Sequence, residues 1–217
     1  MYYLFDLDGT IIDSNGVWVD VDIAFLARRG IAYTQEYADG VAHTIFPLAA
    51  KFTKAFCNIE DSEESIMAEW MELAGDRYSK SVELKPFTAD FLKKCHEAGI
   101  RMSLLSSCVP AHGRAVLERH GLTHYFEHLI FAHDLKVEKS DSRIYDEVEK
   151  ITGVAKNECV LFDDSSRSCR GARAAGLKTV GVYDKMFSAE ADMLRSECDR
   201  YIMSFEELLD SPVVFPG

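Results

Sequence analysis

Six polar residues stand where they could act together: Asp6 and Asp8 in Tyr2-Tyr3-Leu4-Phe5-Asp6-Leu7-Asp8-Gly9-Thr10, Ser106 after Met102-Ser-Leu-Leu, Lys139, and Asp163-Asp164 after Cys159-Val-Leu-Phe. Two carboxylates two residues apart can divide a reaction only if their surroundings separate their pKa values. One must then be an unprotonated nucleophile and the other a proton-holding general acid. A divalent cation between them would relieve the crowded negative charge. A hydroxyl such as Ser106 can donate to a phosphoryl oxygen, an ammonium such as Lys139 can neutralise equatorial charge, and a further acid such as Asp164 can complete an oxygen-rich magnesium site. Taken alone, Asp-Leu-Asp-Gly is also how a strand ending in an Asp-Gly turn reads. An EF-hand calcium loop fits poorly, because Gly9 is the fourth residue from Asp6 and that loop needs glycine at its sixth position.

The elements that must position these residues follow from the apolar pattern. Residues 2–5 form an apolar run that predicts a short strand buried on both faces, with Asp6 and Asp8 at its C-terminal tip, where ligands bind in an open parallel sheet. From Pro86 onward helices and strands alternate, the signature of a parallel sheet flanked by helices. Helices are expected over 87–98, 110–120, 142–152, 166–175 and 205–209, and strands over 100–105, 128–131, 159–162, 179–182 and 201–203. Between the first strand and this series, helical spacing dominates in 14–29, in 37–56 with a break near Gly40 to Pro47, and in 61–80. The expected organisation is an α/β, Rossmann-like core over 1–13 and 84–217 with an inserted helical cap over 14–83, hinged on both sides. Such a cap could exclude water during chemistry.

At 217 residues, 47% of them hydrophobic, the chain can bury a full core. Its 36 acidic and 24 basic residues give a formal charge of −12, which disfavours nucleic acid and anionic membrane as partners. No apolar run approaches the roughly 18 residues of a membrane span, and the N-terminus lacks a basic leader, so a cytoplasmic protein is expected. Six scattered cysteines without a Cys-x-x-Cys pair suit reduced thiols, Cys108 being the one placed near the candidate site.

Read together, these motifs resemble those of the haloacid dehalogenase superfamily of phosphohydrolases, in the subgroup with a helical cap after the first motif that also holds β-phosphoglucomutase-like enzymes. The family's Asp-x-Asp-Gly-Thr matches Asp6 to Thr10. Its Ser or Thr at a strand end matches Ser106, its Lys with an aromatic six residues on matches Lys139 and Tyr145, and its acidic pair matches Asp163-Asp164. The Lys-Pro-x-Pro continuation common in the family reads Lys139-Ser-Asp-Ser142 here, and Ser107 stands where many relatives carry Asn. The resemblance implies a phosphatase in which Asp6 becomes transiently phosphorylated and Asp8 acts first as acid and then as base. Ser106, Ser107 and Lys139 would hold the phosphate. Mg²⁺ would be held by Asp6, the backbone carbonyl of Asp8 and Asp164, with Asp163 assisting directly or through water.

The presence of Asp8 disfavours the dehalogenase and phosphonate-cleaving branches, which lack a carboxylate there. A β-phosphoglucomutase-type mutase shares all four motifs, but Trp18 occupies the place of its cap-hinge histidine. A phospho-receiver module and a catalytically inactive binding protein are the non-enzyme alternatives. The expected partner is a small phosphorylated metabolite, with Trp18, His43 and Thr44 as candidate substrate contacts.

Overall fold

A computed structural model describes residues 1–41 and 46–215, with backbone alone at Phe46. The chain divides into two compact units, one made of Met1–Asn15 and Val82–Gly217, the other of Gly16–Ser81.

In the first unit β1 (Tyr2–Phe5) is followed by α5 (Thr88–Glu97), β2 (Arg101–Ser106), α6 (Pro110–Arg119), β3 (Leu129–Phe131), a short α7 (Ala132–Leu135), α8 (Arg143–Thr152), β4 (Cys159–Asp163), α9 (Ser166–Ala174), β5 (Lys178–Val182), α10 (Ala191–Glu197) and β6 (Arg200–Ile202). The six strands form one sheet in the order β3-β2-β1-β4-β5-β6, every pairing parallel. The α/β class expected for this part of the chain is therefore the one observed. The 205–209 segment is a single 3₁₀ turn over Phe205–Leu208, capped by Ser204 and Glu207, and not an α-helix.

The all-apolar run of β1 follows from its central place, where both faces are covered. Tyr3 and Phe5 point to one side, where Phe5 stacks on Phe162 with ring centroids 4.6 Å apart and Phe91 of α5 stacks on Phe205 at 5.1 Å. Tyr2 and Leu4 point to the other, into a cluster with Ile144, Tyr145 and Val148 of α8 and Ala172 of α9. Each aromatic pair contributes about 0.5–1.5 kcal/mol beyond its buried area. The successive strands β2 and β3 are laid down on one side of β1, and β4 to β6 on the other. The order therefore reverses at β1 and β4, and the crevice of such a sheet opens at their carboxyl ends.

The second unit holds α1 (Val17–Ala27), α2 (Gln35–Val41), α3 (Phe46–Cys57) and α4 (Glu63–Lys80). On α4 the buried residues Ile66, Trp70, Ala74 and Tyr78 recur every four positions and make one continuous stripe. Phe25 of α1 meets Trp70 edge-on at 5.7 Å. Ser62 caps α4 by accepting the Ser65 N–H at 3.1 Å. Arg29 ties this unit together by reaching Asp61 at 3.0 Å and Glu69 at 2.7 Å. Among the described residues no helix is long and apolar enough to cross a membrane.

Candidate active site

Register brings the first acids together. Phe5 pairs with Phe162, so the next residues, Asp6 and Asp163, leave neighbouring strand tips side by side, and the Asp6 N–H donates to the Phe162 carbonyl at 2.9 Å. Carboxylate oxygens of Asp6, Asp163 and Asp164 lie within 4.8 Å of one another, all three residues being buried. The Lys139 ammonium donates to Asp6 Oδ1 and, at 2.8 Å, to Asp163 Oδ2. Asp163 Oδ1 accepts the Ser165 N–H at 2.9 Å, so both of its oxygens are engaged.

The loop that carries Lys139 continues Ser-Asp-Ser142 and is fastened without proline. The Tyr145 hydroxyl is 3.0 Å from the Lys139 carbonyl oxygen and 3.2 Å from that of Ser168. On α9, a Cβ at Gly171 would come within 2.4 Å of the Lys139 carbonyl oxygen, so only glycine lets the helix approach this closely.

Asp8 continues past the strand into a tight turn. The N–H groups of Ile11 and Ile12 donate to the Leu7 carbonyl at 2.9 and 3.0 Å. Gly9, at φ +74°, takes the left-handed conformation the turn requires. The Asp8 side chain is half-buried and accepts the Ser14 hydroxyl at 2.6 Å. It is therefore more open to solvent than Asp6. Asp164 accepts the Thr10 hydroxyl at 3.4 Å and the Asn15 amide at 2.9 Å. Ser106, fully buried at the end of β2, accepts the Cys108 N–H at 3.1 Å, which leaves the serine proton to be donated elsewhere.

Electrostatics sets these acids apart. Burial pushes the Asp6 carboxyl well above the ordinary range; the Lys139 ammonium pulls it back, while Asp163, Asp164 and Asp8 add to the push. Burial and then the Asp163 charge lift Asp164 to about 7. For Lys139 burial acts downward, but the charges and hydrogen bonds of Asp163 and Asp6 outweigh it and hold the ammonium well above a free lysine. One ammonium cannot balance three buried carboxylates. Protons or a cation must supply the remaining positive charge, and a set of hard carboxylate oxygens suits a hard divalent cation.

Of the other candidates, Ser107 is exposed just beyond β2, and Cys108 is raised well above a free thiol by burial and the Asp8 charge. Trp18 lies on α1 of the helical unit with 41% of its surface exposed. His43 and Thr44 lie outside the described residues. Sequence reasoning quoted Thr10 only as part of the motif and missed Ser14 and Asn15; all three side chains hold Asp8 or Asp164. Ser14 and Asn15 lie four and five residues beyond Thr10, and that proximity was the available signal.

The sequence profile of the haloacid dehalogenase-like hydrolase family matches residues 3–182. The chain belongs to that family. Among similar proteins, a phosphoglycolate phosphatase from Pseudomonas fluorescens is 28% identical over 82% of this chain and 68% of its own length. The pyrophosphatase PpaX of Halalkalibacterium halodurans is 24% identical over 95% of this chain and 94% of its own. A Thermotoga maritima structure provisionally assigned as a β-phosphoglucomutase shares the fold with a TM-score of 0.86, at 22% identity over 97% of either chain. This haloacid dehalogenase-like hydrolase thus shows its four motif segments at the carboxyl ends of adjoining strands or in the loop that packs on them.

Proposed function

We propose that this hydrolase is a magnesium-dependent phosphatase that releases phosphate from a small phosphomonoester through phosphorylation of Asp6. The observation that carries the reading is the grouping of Asp6, Lys139 and Asp163, with Asp8 two residues on in a different, half-solvated environment. The similar phosphoglycolate phosphatase supports the substrate class.

In this mechanism an Asp6 oxygen attacks phosphorus in line; the new O–P bond forms as the bond to the leaving oxygen breaks. Asp8 gives that oxygen its proton. It then takes a proton from water, whose oxygen attacks phosphorus and releases Asp6 and inorganic phosphate. Lys139, neutralised on one side by Asp163, faces the charge carried by Asp6 and the phosphoryl group. Ser106 and Ser107 are the proposed donors to phosphoryl oxygens. Asp6, Asp164 and the Asp8 carbonyl would hold Mg²⁺, with Asp163 acting through Lys139. When bound, the cation supplies the positive charge that lets one anion attack another. The helical unit, residues 16–81, is proposed as the family's cap domain. Trp18 in place of the mutases' cap-hinge histidine favours hydrolysis; a mutase would return an isomer in place of free phosphate.

The test is phosphate release over a panel of phosphomonoesters, with and without Mg²⁺, against an Asp6→Asn blank. Release by the wild type alone, and only with Mg²⁺, is expected. Equal release by both proteins would overturn the reading.

A further inference from the structure

Lys85 lies three residues after the chain re-enters the sheet unit at Val82, immediately ahead of Pro86. Its side chain is 14% exposed, and its ammonium meets three acceptors: the Gly9 carbonyl at 2.6 Å, the Tyr183 carbonyl at 2.5 Å and Asp184 Oδ2 at 3.0 Å. An ammonium has three protons to give, so the set is complete. Asp184 is itself 4% exposed, and its other oxygen accepts the Met186 N–H at 2.9 Å. The Lys85 main chain joins the same structure, its N–H donating to the Ile11 carbonyl at 2.9 Å. Next to it the chain pairs again, Ile12 bridging Leu84 and the Asp13 N–H donating to the Glu83 carbonyl at 2.9 Å.

Lys85 therefore grips the turn after β1 by both side chain and backbone, and fastens it to the segment that leaves β5. Asp8 is built into that turn, between Leu7 and Gly9. We propose that Lys85 is a positioning residue for Asp8: by tethering the Gly9 carbonyl to the tip of β5, it holds the acid where it can protonate the leaving oxygen. The inference rests on the phosphatase reading above.

Proton donation from a displaced acid fails steeply, because misplacement by about 1 Å can cost on the order of 100-fold. The loss depends on the leaving group. An alkoxide needs the proton, whereas 4-nitrophenolate departs without it. A loosened Asp8 should therefore penalise alkyl phosphates far more than 4-nitrophenyl phosphate, and a merely structural defect would lower both alike.

The experiment compares kcat/KM of wild type and Lys85→Met on an alkyl phosphomonoester taken from the release panel and on 4-nitrophenyl phosphate. The expected result is a fall of roughly 10- to 100-fold on the alkyl ester, with a change of less than about threefold on the aryl ester. Equal losses on both, or none on either, would overturn the proposal. Lys85→Met leaves Asp184 as a buried carboxylate without its counter-charge; if that variant fails to fold, K85M/D184N removes both charges and carries the same comparison. Wild-type activity no greater than that of Asp6→Asn would instead refute the phosphatase reading, and the proposal with it.

Discussion

Gly9 lies so close to Asp164 that a Cβ placed on it would stand 2.1 Å from Asp164 Oδ2, and 2.2 Å from the Asn15 amide that the same oxygen accepts. The first motif thus meets the fourth at a point where no side chain fits. The φ of +74° adds a second penalty for any other residue. Gly9→Ala is expected to lower kcat/KM at least about 100-fold by pushing the Asp164 carboxylate aside. It should also cost on the order of 1–3 kcal/mol of stability through backbone strain. Steady-state kinetics and urea unfolding check both; near-wild-type activity would show that the carboxylate can move without consequence.

The Tyr145 hydroxyl, reaching from α8, shares its proton between the carbonyls of Lys139 in the preceding loop and Ser168 on α9. Tyr145→Phe keeps the ring and removes the one hydroxyl proton that the two carbonyl oxygens share. A loss of about 1–3 kcal/mol is expected in urea unfolding. The Lys139 ammonium loses part of its alignment on Asp6, so kcat should fall with KM less affected.

Asp22, in the helical unit, accepts the Tyr37 hydroxyl at 3.1 Å; burial pushes its carboxyl up to about 6, with the Tyr37 bond acting the other way. A folded-state value above that of the unfolded chain means that the folded form binds this proton more tightly. The associated stability is present below the unfolded value near 4 and is lost as pH rises through about 6. Asp22→Asn should therefore raise stability by about 1–3 kcal/mol near pH 7.5 and by almost nothing near pH 4. Urea unfolding at the two pH values measures the difference; an equal effect at both would show that the carboxyl does not titrate in this way.

What was legible in the sequence is what burial writes into a local pattern. β1 and β4 are covered on both faces, so their residues read as uninterrupted apolar runs, and the acids that end them mark the strand tips. The four-residue stripe on α4 is legible for the same reason. At four and seven residues, α7 and α10 are too short to show a helical period, and neither was expected. Phe205 and Leu208 are buried at a spacing that α- and 3₁₀-helices share, which hid the 3₁₀ form of that segment. The supports of the acids are harder still. Asn15 meets Asp164 across 149 residues, and Lys85 meets Asp184 across 99. Only folding makes such pairs neighbours.

The Asp8 carboxyl is assigned two proton transfers, and removing it should stop the second more completely than the first when the leaving group departs unaided. Asp8→Asn mixed with 4-nitrophenyl phosphate and Mg²⁺, quenched in acid within the first turnover and digested, should carry a phosphoryl mass on the peptide that contains Asp6. Wild type should show far less of it, because water clears the adduct. Phosphorylation at another residue, or release of phosphate by Asp8→Asn at full rate with no adduct at any time, would contradict Asp6 as the phosphoryl acceptor.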